Sequence, residues 1–195
     1  MKCRLALFGL LFSIHFSATP RSDLDSLKAG LEFFQYKMVN VNLIQYQYGE
    51  SYYSDISISF MDNTTYLIRS SVQDIFVSGQ IIKTWNKQSN QLIIDKRLDN
   101  ERDVFSLLSG NIDGITILNR QNNNGYISVD FLLKDLEISG TLDLTSHNWR
   151  LHQIKIDYDQ DNWIKLVIDN WKILTEELSI DQFGLEAGEV IDLRE

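Results

Sequence analysis

Few residues in this chain have the types and spacing for chemistry. His147 and His152 are close in sequence, but a two-histidine metal site needs carboxylate help. The one cysteine stands at position 3, so neither a disulfide nor a cysteine-ligated zinc can form. The plain alternative is two imidazoles on a surface or sheet edge. Asp157, Asp159, Asp161 and Asp169 could pair as the acid and base of a glycosidase. That chemistry needs two carboxyl groups about 5–9 Å apart across one pocket. Their spread over alternating segments makes them solvent-face and turn residues instead. Asn63-Thr64-Thr65 matches a glycosylation sequon and reads as a turn. No G-x-S-x-G, glycine-rich phosphate loop or H-E-x-x-H occurs. The expectation is a protein that is not an enzyme and takes no cofactor or metal.

The 195 residues make one domain's length, with net charge −9. An acidic chain repels phosphate backbones, and no Lys/Arg run exceeds two residues, so no nucleic-acid partner is expected. With 8 Tyr, 10 Phe and 4 Trp the chain can bury a sizeable core.

Residues 1–18 read as a secretory signal peptide. Lys2 and Arg4 precede the apolar stretch Leu5 to Phe16, and small Ser17 and Ala18 follow. The stretch is short for a membrane span. Cys3 precedes the apolar stretch, whereas a lipid-bearing cysteine follows it, so the chain is not expected to be lipidated. Cleavage after Ala18 removes Cys3 and His15 and leaves a single domain over 19–195, exported and held by its core alone.

The elements that would position any site follow from periodicity. Leu24, Leu27, Leu31, Phe34 and Met38 recur at helical spacing and predict a helix over 22–38, capped by Ser22. Gly30 inside it costs about 1 kcal/mol against Ala. After it the period switches to two, as in Ile56, Ile58 and Phe60 or Ile154, Ile156 and Tyr158. Strands are predicted over 65–70, 73–78, 81–86, 91–96, 114–119, 125–133, 136–144, 149–158, 162–170 and 190–193. Turns fall at Asp62-Asn63, Asn86 to Asn90 and Asp159 to Asn162. Residues 101–109 suggest a short helix. The fold class is therefore mainly β (α+β). A strongly curved antiparallel sheet, or incomplete barrel, would have helices covering its concave face. That face could hold an apolar ligand, or its residues could simply form a filled core.

Residues 66–95 resemble the LolA family of periplasmic lipoprotein carriers. Val77-Ser78-Gly79 stands near the family's turn, Lys83-Thr84-Trp85-Asn86 on its tryptophan strand, and Asn90-Gln91-Leu92 after it. Phe183 and Glu189-Val190-Ile191-Asp192-Leu193-Arg194 resemble the family's closing segment. The resemblance implies an incomplete barrel with a helical lid. It also implies a periplasmic carrier that shields the acyl chains of lipoproteins between the membranes. The implied partners are acylated lipoproteins, an inner-membrane lipoprotein-releasing ABC transporter and an outer-membrane receptor; a monomer is expected. The physics agrees, because each CH₂ hidden from water is worth about 0.8 kcal/mol.

On that reading Phe60, Tyr66, Ile68, Phe76, Trp85, Ile127, Val129 and Phe131 are candidates for the concave face. Phe33, Phe34 and Tyr36 are candidates for the lid helix. Arg69, nearest to the family's functional arginine, is the candidate gating residue, against an exposed strand position. Three rivals remain open: a sensor or lipid-binding module without transfer activity, a hydrolase with an acidic pair, and a structural envelope protein with a filled core.

Overall fold

The computed structural model describes residues 22–62, 64–97, 104–133, 137–175, 179–181 and 183–194. The signal peptide over 1–18, Asn63 of the sequon and the start of the helix at 101–109 lie outside the described residues.

Ser22 has an extended backbone, and its hydroxyl accepts from the Asp25 N–H at 3.1 Å. Asp23 and Asp25 in the first turn oppose the positive end of the helix dipole. Helix α1 therefore starts where expected and spans Asp23–Glu32. It stops six residues before the expected end at 38. Leu27, Leu31 and Phe34 complete the buried face. Tyr36 then takes a left-handed φ of 58° that reverses the chain. Met38 thus belongs to a strand, and Leu24 is exposed.

The strands are β1 (Lys37–Gln47), β2 (Glu50–Phe60), β3 (Thr65–Arg69), β4 (Gln73–Ser78), β5 (Ile81–Asn86) and β6 (Gln91–Lys96). Helix α2 (Val104–Leu108) follows. Then come β7 (Ile115–Asn123), β8 (Tyr126–Leu133), β9 (Ile138–Thr145), β10 (Leu151–Asp157), β11 (Asn162–Ile173) and β12 (Glu189–Asp192). They form one open, strongly curved sheet of 12 strands in the order β12-β6-β5-β4-β3-β2-β1-β11-β10-β9-β8-β7. Each pair is antiparallel except β12 with β6, which is parallel. Two hairpin meanders meet where β1 pairs with β11.

Turn chemistry fixes the registers. Asn86 Oδ1 accepts from the Gln88 and Ser89 N–H groups, and Asn90 has φ 53°. Asp159 Oδ1 accepts from the Asp161 N–H at 2.8 Å and closes the β10–β11 turn.

Alternation gives the sheet two unlike faces. One carries Val39, Val41, Ile58, Phe60, Tyr66, Ile68, Ile127, Val129, Phe131, Leu142, Ile154 and Leu166, which are buried in one cluster. Leu27, Leu31 and Phe34 around α1, and Leu107 and Leu108 of α2, belong to the same cluster. Two glycines make its close contacts possible. A Cβ on Gly30 would stand 2.0 Å from the Trp149 carbonyl oxygen, so α1 approaches the β9–β10 loop only because residue 30 lacks one. Gly140 lies opposite Phe131 across β8 and β9, and a Cβ there would meet the ring at 2.6 Å.

The opposite face is polar over β8–β10, where Ser128 donates to Asp143 and Thr141 to Asp130. Over β3–β6 it is apolar again. Leu67, Phe76 and Leu92 are buried yet lie outside the main cluster. The segment before β12 covers them: Phe183 stacks on Phe76 with centroids 5.6 Å apart, and Lys83 Nζ donates to the Ile180 carbonyl at 2.6 Å.

Candidate functional site

The site with the greatest chemical content is the apolar face with the groups at its rim. Phe34, Phe60, Tyr66, Ile68, Ile127, Val129 and Phe131 all lie in its cluster. Phe60 and Tyr66 are cross-strand partners with ring centroids 6.1 Å apart, and Phe105 of α2 lies 6.4 Å from Tyr66. Phe33 is half-buried and packs on the cluster's edge.

Phe76, Trp85, Tyr36 and Arg69 lie elsewhere. Phe76 pairs with Leu67 on the opposite face and stacks under Phe183. Trp85 is two residues beyond Lys83 on that same face, and its Nε1–H donates to Asn90 Oδ1 at 3.2 Å. The alternation in β4 and β5 is real, but both faces there are covered, so apolar bulk alone picks the wrong one. Tyr36 is 66% exposed because the chain reverses at it. Arg69 follows the buried Ile68 and so faces away from the apolar cluster. It lines a cleft of about 360 Å³ with Asn40, Asn42, Asp55, Ser57 and Asp169. Asp169 is the extra residue of a bulge in β11, opposite the Asn40/Val41 step.

The rim of the apolar face holds an arrangement that the sequence did not signal. Phe33 and Trp171 meet edge to face with centroids 4.9 Å apart. Lys37 Nζ lies 4.2 Å from the Phe33 centroid and Arg150 Cζ lies 3.9 Å from it. Lys37 also donates to the Phe33 carbonyl at 2.6 Å, at the negative end of α1. Desolvation, and then the charge of Arg150, hold the Lys37 ammonium below the usual lysine pKa. These residues come from α1's cap, β1, the β9–β10 loop and β11, so no local motif could have revealed them.

Elsewhere the reactive groups are dispersed. His152 packs on Tyr126 with ring centroids 5.1 Å apart. Among the described residues no three His, Cys, Asp or Glu side chains gather as a metal site. Asp157 pairs with Lys155 at 2.5 Å, and Asp159 is spent on its turn. No helix among the described residues is long and apolar enough to cross a membrane.

No protein-family model matches the chain, and no curated protein matches it by sequence. Solved structures do match. An uncharacterized conserved protein from Thermus thermophilus superposes with a TM-score of 0.52 at 8% identity, over 85% of this chain and 94% of that one. A LolA superfamily protein from Nitrosomonas europaea matches with a TM-score of 0.46 at 11% identity, over 82% and 96%. The lipoprotein LppX of Mycobacterium tuberculosis matches with a TM-score of 0.41 at 12% identity, over 82% and 100%. The Thermus thermophilus match shows that the curved-sheet fold is shared; at such identities the likeness is one of fold.

Proposed function

We propose that the chain is a periplasmic carrier that holds the acyl chains of lipoproteins against the concave, apolar face of its sheet, with α1 and α2 as the lid. The single observation that supports this reading is that Leu27 and Leu31 of α1, Phe34 just after it, and Leu107 and Leu108 of α2 are buried in one cluster with the residues of that face. Apolar contact dominates the attachment. The polar ties of this region include an exposed ion pair from Arg120 to Asp23 and a long bond from Gln35 to the Ser109 carbonyl at 3.4 Å. Exposed ion pairs of this kind are worth about 0–1 kcal/mol.

Such a lid suits a carrier. Side chains now fill the face, so an acyl chain enters only as a helix withdraws. The chain then buries much the same apolar area that the helix gives up, at about 25 cal/mol per Å² in either state. Loading and release are near balance, and no hydrolysis or cofactor is needed.

The residue pattern supports the same reading. The stretches that resemble the LolA family come together at one sheet edge: Gln91 is the register partner of Glu189, and its Nε2 donates to Glu189 Oε2 at 2.9 Å. Within the proposed cavity we place Phe34, Phe60, Tyr66, Ile68, Ile127, Val129 and Phe131, with Phe33 at the mouth. The proposed partners are acylated lipoproteins, the transporter that releases them from the inner membrane, and an outer-membrane receptor.

Native mass spectrometry of the mature protein from its own host's periplasm, without detergent, tests this. A complex with an acylated lipoprotein is expected. A bare chain, still bare after incubation with lipoprotein-loaded membranes and the transporter, would overturn the reading. Lipid uptake without hand-over would mark a lipid-binding or sensor module.

A further inference from the structure

The rim cluster has a charge pattern that its surroundings do not balance. Lys28, Lys87, Arg120, Lys155 and Arg194 each have a carboxylate within ion-pair distance. Among the described residues Lys37 and Arg150 have none, and neither do Arg69, Lys165 and Lys172; what sets Lys37 and Arg150 apart is that they stand together. Both instead lie on the same two rings: Arg150 Cζ is 5.3 Å and Lys37 Nζ 5.7 Å from the Trp171 centroid. The Arg150 Nε–H is buried and has no acceptor, a costly state for a charged donor. The pKa of Lys37 is lowered by desolvation first and by the charge of Arg150 second, although its Nζ also donates to the Phe33 carbonyl at 2.6 Å.

The position of these cations is equally specific. Lys37 is the register partner of Phe60, and Trp171 that of Val39. Phe60 and Val39 both belong to the buried apolar cluster. Two unpaired cations therefore stand where apolar surface meets solvent, which is the geometry that an acidic amphiphile requires. A guanidinium can give a carboxylate or phosphate two parallel hydrogen bonds, and an ammonium beside it adds a point charge.

We infer that Arg150 and Lys37 form a binding site for the acidic headgroup of an amphiphile whose acyl chain lies against the apolar face. This goes beyond the carrier reading, because the acyl anchor of a lipoprotein carries no acid group, and rests on it only in needing the apolar face to admit an acyl chain. It assigns that face a further ligand with a carboxylate or phosphate next to its acyl chain. Phe33 is then the hinge between the two parts: its ring carries the cations, and its neighbour Phe34 is buried in the cluster.

Isothermal titration of the mature protein with palmitate, dodecyl phosphate, hexadecanol and inorganic phosphate tests this. Palmitate or dodecyl phosphate is expected to bind at least about tenfold tighter than hexadecanol. The tighter of the two identifies the headgroup as fatty-acid carboxylate or lipid phosphate. In Arg150→Gln the preference should fall toward unity; Lys37→Gln, read in parallel, covers the case in which Arg150→Gln fails to fold. A second readout is Lys37 itself: an acidic headgroup should raise its pKa, visible in the side-chain NMR titration, and hexadecanol should not. Equal affinity for palmitate, dodecyl phosphate and hexadecanol would overturn the inference and leave the carrier reading standing. Inorganic phosphate binding as tightly as dodecyl phosphate would overturn it too, by reducing the site to a general anion site. No binding of any amphiphile would remove the carrier reading and the inference together.

Discussion

Replacing Gly30 by Ala should weaken the protein, although it improves the helix. In an isolated helix the change is worth about 1 kcal/mol in favour of Ala. Here the new methyl group would stand 2.0 Å from the Trp149 carbonyl oxygen and 2.9 Å from its carbon. The loop has little freedom to retreat, because Trp149 N–H donates to the Thr145 carbonyl and Thr145 N–H to the Arg150 carbonyl, both at 2.8 Å. Helix α1 must therefore move outward by about 1 Å to restore ordinary contact distances. That movement loosens Leu27 and Leu31, which are wholly buried. Overpacking of this kind costs about 1–3 kcal/mol, so after the helix gain the net loss is about 0–2 kcal/mol. Urea denaturation measures the loss. Uptake of an apolar fluorescent dye reports whether the face beneath α1 has become more accessible, and it should rise. A variant more stable than the parent by about 1 kcal/mol, with unchanged dye uptake, would refute the close approach of α1 to the loop.

Further outcomes follow from other contacts. Gly140→Ala should destabilise by about 1–3 kcal/mol, since its methyl group would meet both the Lys155 carbonyl at 2.3 Å and the Phe131 ring at 2.6 Å; thermal unfolding checks it, and an unchanged midpoint would count against that packing. Phe183→Ala removes the stack on Phe76, and a loss of about 1–3 kcal/mol is expected, with faster hydrogen exchange at β12 than at β1. Asp192 should titrate at about 2 in a carboxylate-resolved NMR experiment, because the Arg194 side chain hydrogen-bonds to it, with Nε 2.8 Å from Oδ1. With its folded pKa depressed, Asp192 stabilises the native state above its unfolded pKa, and the contribution is lost as pH falls toward 2. Arg194→Ala should return Asp192 toward the ordinary carboxylate range. Lys37 has the same sign for a different reason: desolvation penalises its charged form, its folded pKa lies below the unfolded 10.5, so stability should rise with pH between the two, and the slope should vanish in Lys37→Gln.

The sequence by itself determined where most strands and turns fall along the chain, because period-two alternation and Asn/Asp/Gly turns are local; the pairing of β1 with β11 and the parallel pairing of β12 with β6 are tertiary. The turn at Asp159 and the cap at Ser22 are each held by the hydrogen bonds that their residue types favour. It also placed Phe60, Tyr66, Ile68, Ile127, Val129 and Phe131 on one buried face. It could not place Phe76 or Trp85, since both sheet faces are covered over β4 and β5 and the cover, Phe183, is remote in sequence. The end of α1 was equally hidden: Met38 continues the apolar spacing, but pairing with β2 claims it for β1. Gly30 read as a flaw in a helix, and only the Trp149 carbonyl beside it shows why a side chain cannot stand there. The unpaired charges of Lys37 and Arg150 were invisible for the same reason. A pattern along the chain states which residues alternate; only tertiary packing decides what lies against them, and so which charges keep no partner.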